Sequence, residues 1–127
     1  MNLTKIDKVF SEFIRNRDAD ENGYCKCISC GKVQHWKDMD CGHFINRKHL
    51  ALRWNEINCQ VQCRACNRFD EGNIPAFGIA LQKKYGDNII DQLLAVKNKP
   101  FKITQFEIDV LEKYYKSEVK NYAAQNT

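Results

Sequence analysis

No run of apolar residues in this 127-residue chain approaches the roughly 20 that a membrane-spanning helix needs. The first eight residues, Met-Asn-Leu-Thr-Lys-Ile-Asp-Lys, carry charges where a secretion signal has its apolar segment. The expected location is therefore the cytoplasm. Internal repeats, low-complexity segments and any helix-turn-helix or similar base-reading element are also missing. Charge of one sign is scarce: the formal net charge is only +4, and a zinc ion on four thiolates lowers it to about +2. Such a chain does not coat DNA by charge alone. From Ile74 onward there is neither cysteine nor histidine. The stretch from Asn22 to Asn73 has few aliphatic residues, too few for a full core of its own, and modules of that size often need a metal.

That same stretch holds all seven cysteines. Without an export signal they argue against a disulfide framework and for zinc. Cys27 and Cys30 form one C-x-x-C pair, and Cys63 and Cys66 a second. Two short-spaced pairs separated by a long interval supply four tetrahedral ligands, and the interval leaves room for a hairpin. Four thiolates leave no open position, so this zinc is expected to be structural, and its loss to unfold the middle of the chain. No βαβ pattern surrounds the pairs, which disfavours a redox role. Cys25 is a rival ligand to Cys27, but Cys27-Ile-Ser-Cys30-Gly31 has the tighter knuckle spacing. Cys25, Cys41 and Cys59 read as small buried residues.

Helical spacing of Ile6, Val9, Phe10, Phe13 and Ile14 predicts a helix from Thr4, as N-cap, to about Asp18. Its stripe is expected to pack on the zinc module or on another subunit. A knuckle follows at Tyr24–Lys32, then a partly strand-like Val33–Phe44. Ile45–Arg53 reads as a basic loop or short helix, Trp54–Gln62 as a returning strand, and Cys63–Phe69 as the start of a helix. Further helices are predicted over Ile74–Tyr85, with Pro75 early and Gly86 after its end, and over Asn88–Val96. Thr104-Gln-Phe-Glu107 is a capping box opening a last helix to about Tyr122. Its apolar set is Phe106, Val110, Leu111, Tyr114, Tyr115, Val119 and Tyr122, and Ala123–Thr127 is expected to fray. The reading is one α+β domain, 1–127. An N-terminal helix spans 1–20, a zinc core 22–73 and a helical region 74–127.

Asp40, His43, Asn58 and Asn67 lie between and beside the cysteine pairs. These side chains suit a hard cation and a moving proton. Hydrolysis of a phosphodiester needs an activated water, neutralised phosphoryl oxygens and help for the leaving 3′ oxygen. A histidine near its ordinary pKa can activate the water at neutral pH. From Arg47 to Arg68 the chain carries Arg47, Lys48, Arg53, Arg64 and Arg68 against one acid, Glu56. These five are candidates for contacting DNA phosphates. His49 is a weaker candidate for phosphate or metal, and His35 reads as a strand-surface residue.

The stretch Cys27–Asn73 resembles the His-Asn-His (HNH, ββα-metal) nucleases. Asp40-Cys-Gly-His43-Phe-Ile, Leu52-Arg-Trp-Asn-Glu56 and Asn58-Cys-Gln-Val-Gln-Cys63-Arg-Ala-Cys66-Asn67 are similar to the phage NinG/Rap recombination nuclease family. The ending Cys63-x-x-Cys66-Asn67, and an Asp three residues before the His, also resemble the phage junction-resolving endonuclease VII. The resemblance covers roughly residues 22–90. It implies a zinc-stapled treble-clef ββα-metal core with flanking α-helices. It assigns His43 as general base, Asn58 as brace of the loop carrying that base, and Asp40 and Asn67 as ligands of a catalytic metal. Gly42 stands where many HNH proteins have Asp or His, and Asn67 stands for the final His. An all-oxygen pair favours Mg²⁺ or Mn²⁺.

The expected function is metal-dependent cleavage of DNA in phage or prophage recombination within a bacterial host cell. Branched DNA such as a four-way junction is the implied substrate, and its symmetry suggests a homodimer. The Thr4 helix or the Phe106–Tyr122 helix would supply the interface. The alternatives are a non-catalytic treble-clef module that binds DNA and, more weakly, a protein–protein adaptor built on the helices.

Overall fold

The apolar spacing at Ile6, Val9, Phe10, Phe13 and Ile14 yields helix α1, Thr4–Arg17, in the computed structural model, which describes residues 1–125. Thr4 is not its cap. The helix starts from Leu3, and the Asn2 side chain accepts from the Thr4 backbone N–H at 3.1 Å, so the capping oxygen comes from two residues earlier. In the last turn, Arg15 donates to the Trp36 carbonyl at 3.2 Å and Arg17 to the Glu56 carbonyl at 2.7 Å.

Two antiparallel hairpins follow. The first joins β1, Tyr24–Lys26, to β2, Val33–His35, and carries Cys27 and Cys30 in its turn. Gly31 has φ +82 there, a left-handed position that glycine adopts without strain. The second joins β3, Met39–His43, to β4, Cys59–Cys63, with Asp40 opposite Gln62 and His43 opposite Cys59. Between these two strands, α2 spans Leu50–Arg53. The returning strand is shorter than expected. Asn55 Oδ1 accepts from the N–H groups of Ile57 and Asn58, each at 2.9 Å, and this turn holds Trp54–Asn58 out of the ladder.

A π-helical turn over Ala65–Phe69 replaces the expected helix start after Cys63. Glu71, Gly72 and Asn73 all have positive φ and swing the chain away. Helices α3, Ile74–Tyr85, and α4, Ile89–Lys97, follow. The last helix, α5, spans Gln105–Gln125. Its capping box forms: Thr104 N–H donates to Glu107 Oε1, and Glu107 N–H donates to Thr104 Oγ1, both at 3.1 Å. Of the stretch Ala123–Thr127, expected to fray, the helix includes 123–125, and positions 126 and 127 lie outside the described residues.

Three apolar clusters hold these elements. α1 packs between α5 and the β3–β4 hairpin through Ile6, Phe10, Phe13 and Ile14 with Trp54, Cys59, Ile108 and Tyr115. Its stripe is therefore buried within the chain, against α5 and the β3–β4 hairpin. On α5 the buried face is Ile108 and Tyr115, with Leu111, Val119 and Tyr122 partly covered. Phe106, Val110 and Tyr114 point outward, because their spacing of four traces the opposite side of the helix. The second cluster surrounds the cysteine pairs with Cys25, Met39 and Val61. The third seats α3 and α4 on the loop before β4 through Ile45, Leu52, Phe77, Leu81, Ile89 and Leu93. The chain is a mixed α+β fold with two small sheets, and both sheets converge on the cysteines.

Candidate functional site

The turn of the first hairpin and the end of β4 bring Cys27, Cys30, Cys63 and Cys66 together, with their sulfurs within 4.8 Å of one another. Cys30 and Cys63 sulfurs are 3.7 Å apart, close to the about 3.8 Å separating two thiolates on one tetrahedral zinc. Backbone N–H groups point at the sulfurs, Cys30 N–H to Cys27 at 3.5 Å and Cys66 N–H to Cys63 at 3.4 Å. Burial opposes ionisation of Cys27, but backbone donors from Cys30, Cys63 and Ser29 outweigh it and hold the thiol down at about 7. The donor set fits zinc, and the cluster can hold a structural zinc ion. Cys25 is buried beside it and outside the ligand set.

Next to the cluster, Asp40, His43, Asn67, Arg68, Arg47 and Arg53 line one cleft of about 240 Å³. A neighbouring cleft of about 430 Å³ shares His43, Arg47 and Asn67. β3 supplies Asp40 and His43, and the π-helical turn supplies Asn67 and Arg68. Asn67 Nδ2 donates to Asp40 Oδ2 at 3.1 Å. Arg68 grips both Asp40 oxygens, at 2.8 and 2.9 Å, and Arg64 lies 4.0 Å away. The carboxylate thus already faces a cation, carried on a side chain that is 55% exposed.

His43 Nε2 lies 2.9 Å from the Arg53 carbonyl oxygen. Burial pushes the imidazole pKa below its ordinary value, against the Arg53 carbonyl, with Arg47 and Arg53 adding to the depression. Asn58, fully buried, braces the loop after His43: its Oδ1 accepts from Ile45 N–H at 2.8 Å. Its Nδ2 donates to the carbonyls of Ile45 and Leu52, at 3.0 and 3.1 Å.

Gly42 also has a local reason. A Cβ there would collide with the side chain of Gln62, which reaches over diagonally from β4, where Gly42 itself pairs with Gln60. Gln62 is pinned by donating to Ser29 Oγ at 2.8 Å and to the Gly72 carbonyl at 2.6 Å. An acid or histidine before His43 would require the Gln62 side chain to move.

The five candidate phosphate contacts divide. Arg47 borders both clefts and Lys48 is exposed on the same loop. Arg64 and Arg68 are turned to Asp40, whereas Arg53 is tied to Asp7 by Nε at 3.0 Å. His49 borders neither cleft, and His35 caps a short turn by accepting from Lys37 N–H at 3.2 Å. The sequence did not reveal Asp7 and Phe10 in the cleft wall, because both serve the helical pattern of α1. Nor did it reveal that Cys41 and Cys59 stand beside His43.

The fold and cleft define a small α+β protein with a four-cysteine, zinc-compatible centre beside a polar, basic-rimmed groove. Residues 3–125 match the family described as Bacteriophage Lambda NinG protein, and the chain belongs to that family. It is 30% identical to protein ninG of Escherichia phage lambda over 98 residues, covering 76% of this chain and 46% of that protein. It is 27% identical to protein ninG of Salmonella phage P22 over 120 residues, 94% of this chain and 56% of the relative. The chain spans about half the length of the curated relatives it matches. No solved structure matches it. Among the described residues, no helix is long and apolar enough to cross a membrane.

Proposed function

We propose that the chain is a metal-dependent DNA endonuclease of the HNH type, with a treble-clef ββα-metal core over 22–73 in one domain. The observation that carries this reading is the meeting of Asp40, His43 and Asn67 in one cleft, with Asn58 bracing the loop that follows His43. A carbonyl oxygen can only accept, so His43 Nε2 carries the proton and Nδ1 holds the lone pair. Nδ1 then takes a proton from water, and the Arg53 carbonyl stabilises the imidazolium that results. Arg47, with Lys48 beyond it, holds the phosphate in the groove. Arg68 leaves Asp40 for a phosphate oxygen, which frees the Asp40 carboxylate beside Asn67. Asp40 and Asn67 would hold Mg²⁺ or Mn²⁺, which would supply neutralisation of the phosphoryl and leaving oxygens.

Branched DNA is the proposed substrate, cut in a recombination setting within a phage-infected bacterial cell. Phe69 supports it: it is 84% exposed and follows Arg68, which lines the cleft, and an exposed ring stacks readily on a base splayed at a branch point. A homodimer, if formed, would use the outward Phe106, Val110 and Tyr114 of α5.

The Arg68–Asp40 pair favours a second reading, a DNA-binding module without catalysis, because it leaves the carboxylate neutralised. Zinc-loaded protein incubated with supercoiled plasmid in Mg²⁺, Mn²⁺ or EDTA separates the two. Nicking with metal, absent in EDTA, supports the nuclease. Retardation without nicking in either metal supports the module.

A further inference from the structure

Seven cysteines exceed the needs of one zinc site. Cys41 and Cys59 do not scatter through the core. Cys41 and His43 sit two apart on β3 and so share a face, and Cys59 lies directly across from His43 on β4. Their two sulfurs and a ring nitrogen of His43 lie within 4.8 Å of one another. One tetrahedral zinc needs its thiolates about 3.8 Å apart. The trio is therefore within an ångström of a ligand set, the same tolerance that the four-cysteine cluster meets.

The surroundings suit a soft cation. Cys59 Sγ points at the Arg53 carbonyl, 3.5 Å away, the same oxygen that His43 Nε2 faces. A water from the cleft completes four-coordination. Cys59 is buried, but Cys41 and His43 both line the cleft, so an ion has a route in. Two thiolates and one Zn²⁺ sum to zero charge, which a half-buried position beside Arg47 and Arg53 tolerates.

We propose that Cys41, His43 and Cys59 form a second metal site, selective for zinc-like soft ions, whose occupation takes His43 out of proton transfer. The ligand site stands on geometry alone. Its inhibitory consequence rests on the nuclease reading. The ligand set is Cys₂His against the oxygen pair Asp40 and Asn67, so the two ion classes sort by hardness between adjacent sites.

The test uses the full chain with one zinc already bound, kept in a phosphine reductant so that no disulfide forms, and titrated with Co²⁺. The expected result is thiolate-to-cobalt charge-transfer absorption saturating at one further ion per chain. It should vanish in Cys41→Ser and weaken in His43→Ala. Absence of the band in the wild-type chain overturns the site, whether or not a variant folds. A band that survives Cys41→Ser overturns it equally. In a parallel nicking assay in Mg²⁺, added Zn²⁺ should abolish wild-type cutting and spare Cys41→Ser. Cobalt binding as expected, with a chain that never nicks, refutes the inhibitory role and the nuclease but leaves the metal site. Nicking without the cobalt band refutes the metal site and leaves the nuclease.

Discussion

The ring of His43 and the backbone of Arg53 are joined by one hydrogen bond, 2.9 Å from Nε2 to the carbonyl oxygen. The bond fixes the tautomer and spans from β3 to the end of α2. Arg53 in turn holds Asp7 of α1 with its side chain. The candidate base is thus positioned by a chain of contacts that starts in the N-terminal helix.

Asn58 is the other support of that loop. Asn58→Ala strips the partners from the buried Ile45 N–H and Ile45 carbonyl, whereas the Leu52 carbonyl keeps the Asn55 N–H at 3.3 Å. Each unsatisfied group costs about 1–3 kcal/mol. The variant should lose about 2 kcal/mol or more in a urea melt, and nicking should fall with it. A loss below about 1 kcal/mol would contradict the bracing role.

Asp7 contributes a pH dependence. Burial raises its carboxyl pKa, but hydrogen bonds from Arg53 and Trp54 outweigh burial and hold it below the ordinary value. A depressed folded pKa contributes stability that is present above the unfolded value of about 3.9. That stability is lost as pH falls through the lower, folded value. Asp7→Asn should be less stable at neutral pH by about 1–2 kcal/mol, and the gap should close on acidification. Thermal melts of both proteins from neutral pH to below pH 4 check this; parallel curves would refute it.

Gly42 and Gln62 cannot both carry side chains in that space. Gly42→Ala should cost about 1–3 kcal/mol through overpacking. Combining it with Gln62→Ala should restore part of the loss, a coupling that a double-mutant cycle measures. Additive effects would show that the strain lies elsewhere.

Phe69 is predicted to select substrate and not to perform chemistry. Phe69→Ala should weaken cutting of a four-way junction about tenfold, in line with one lost base stack, and leave duplex cutting unchanged. Phe69→Trp should retain the preference. Equal losses on both substrates would assign Phe69 another role.

Much of this was legible beforehand because the signals were local. Two C-x-x-C pairs, the capping box at Thr104 and Glu107, and the Pro75–Gly86 bounds of α3 need only a few neighbouring residues each. What stayed hidden was long-range. Asp7 with Arg53 spans 46 residues, and the Cys41–Cys59 approach depends on the β3–β4 register. The exposed Phe106, Val110 and Tyr114 misled because two apolar stripes run along α5, and only contact with α1 selects the one at Ile108 and Tyr115. The Asn55 turn shortened β4 by side-chain chemistry that alternation cannot register.

The central claim is that His43 activates water for a metal-dependent cut. Its most direct test is cleavage of an end-labelled four-way junction by zinc-loaded wild type and His43→Ala, in Mg²⁺ and in EDTA, with binding followed in parallel. The account predicts cutting by wild type in Mg²⁺ only, and a His43→Ala chain that binds the junction with equal affinity yet does not cut. Cutting by His43→Ala at the wild-type rate, or none by wild type in Mg²⁺ or Mn²⁺ despite tight binding, would contradict it.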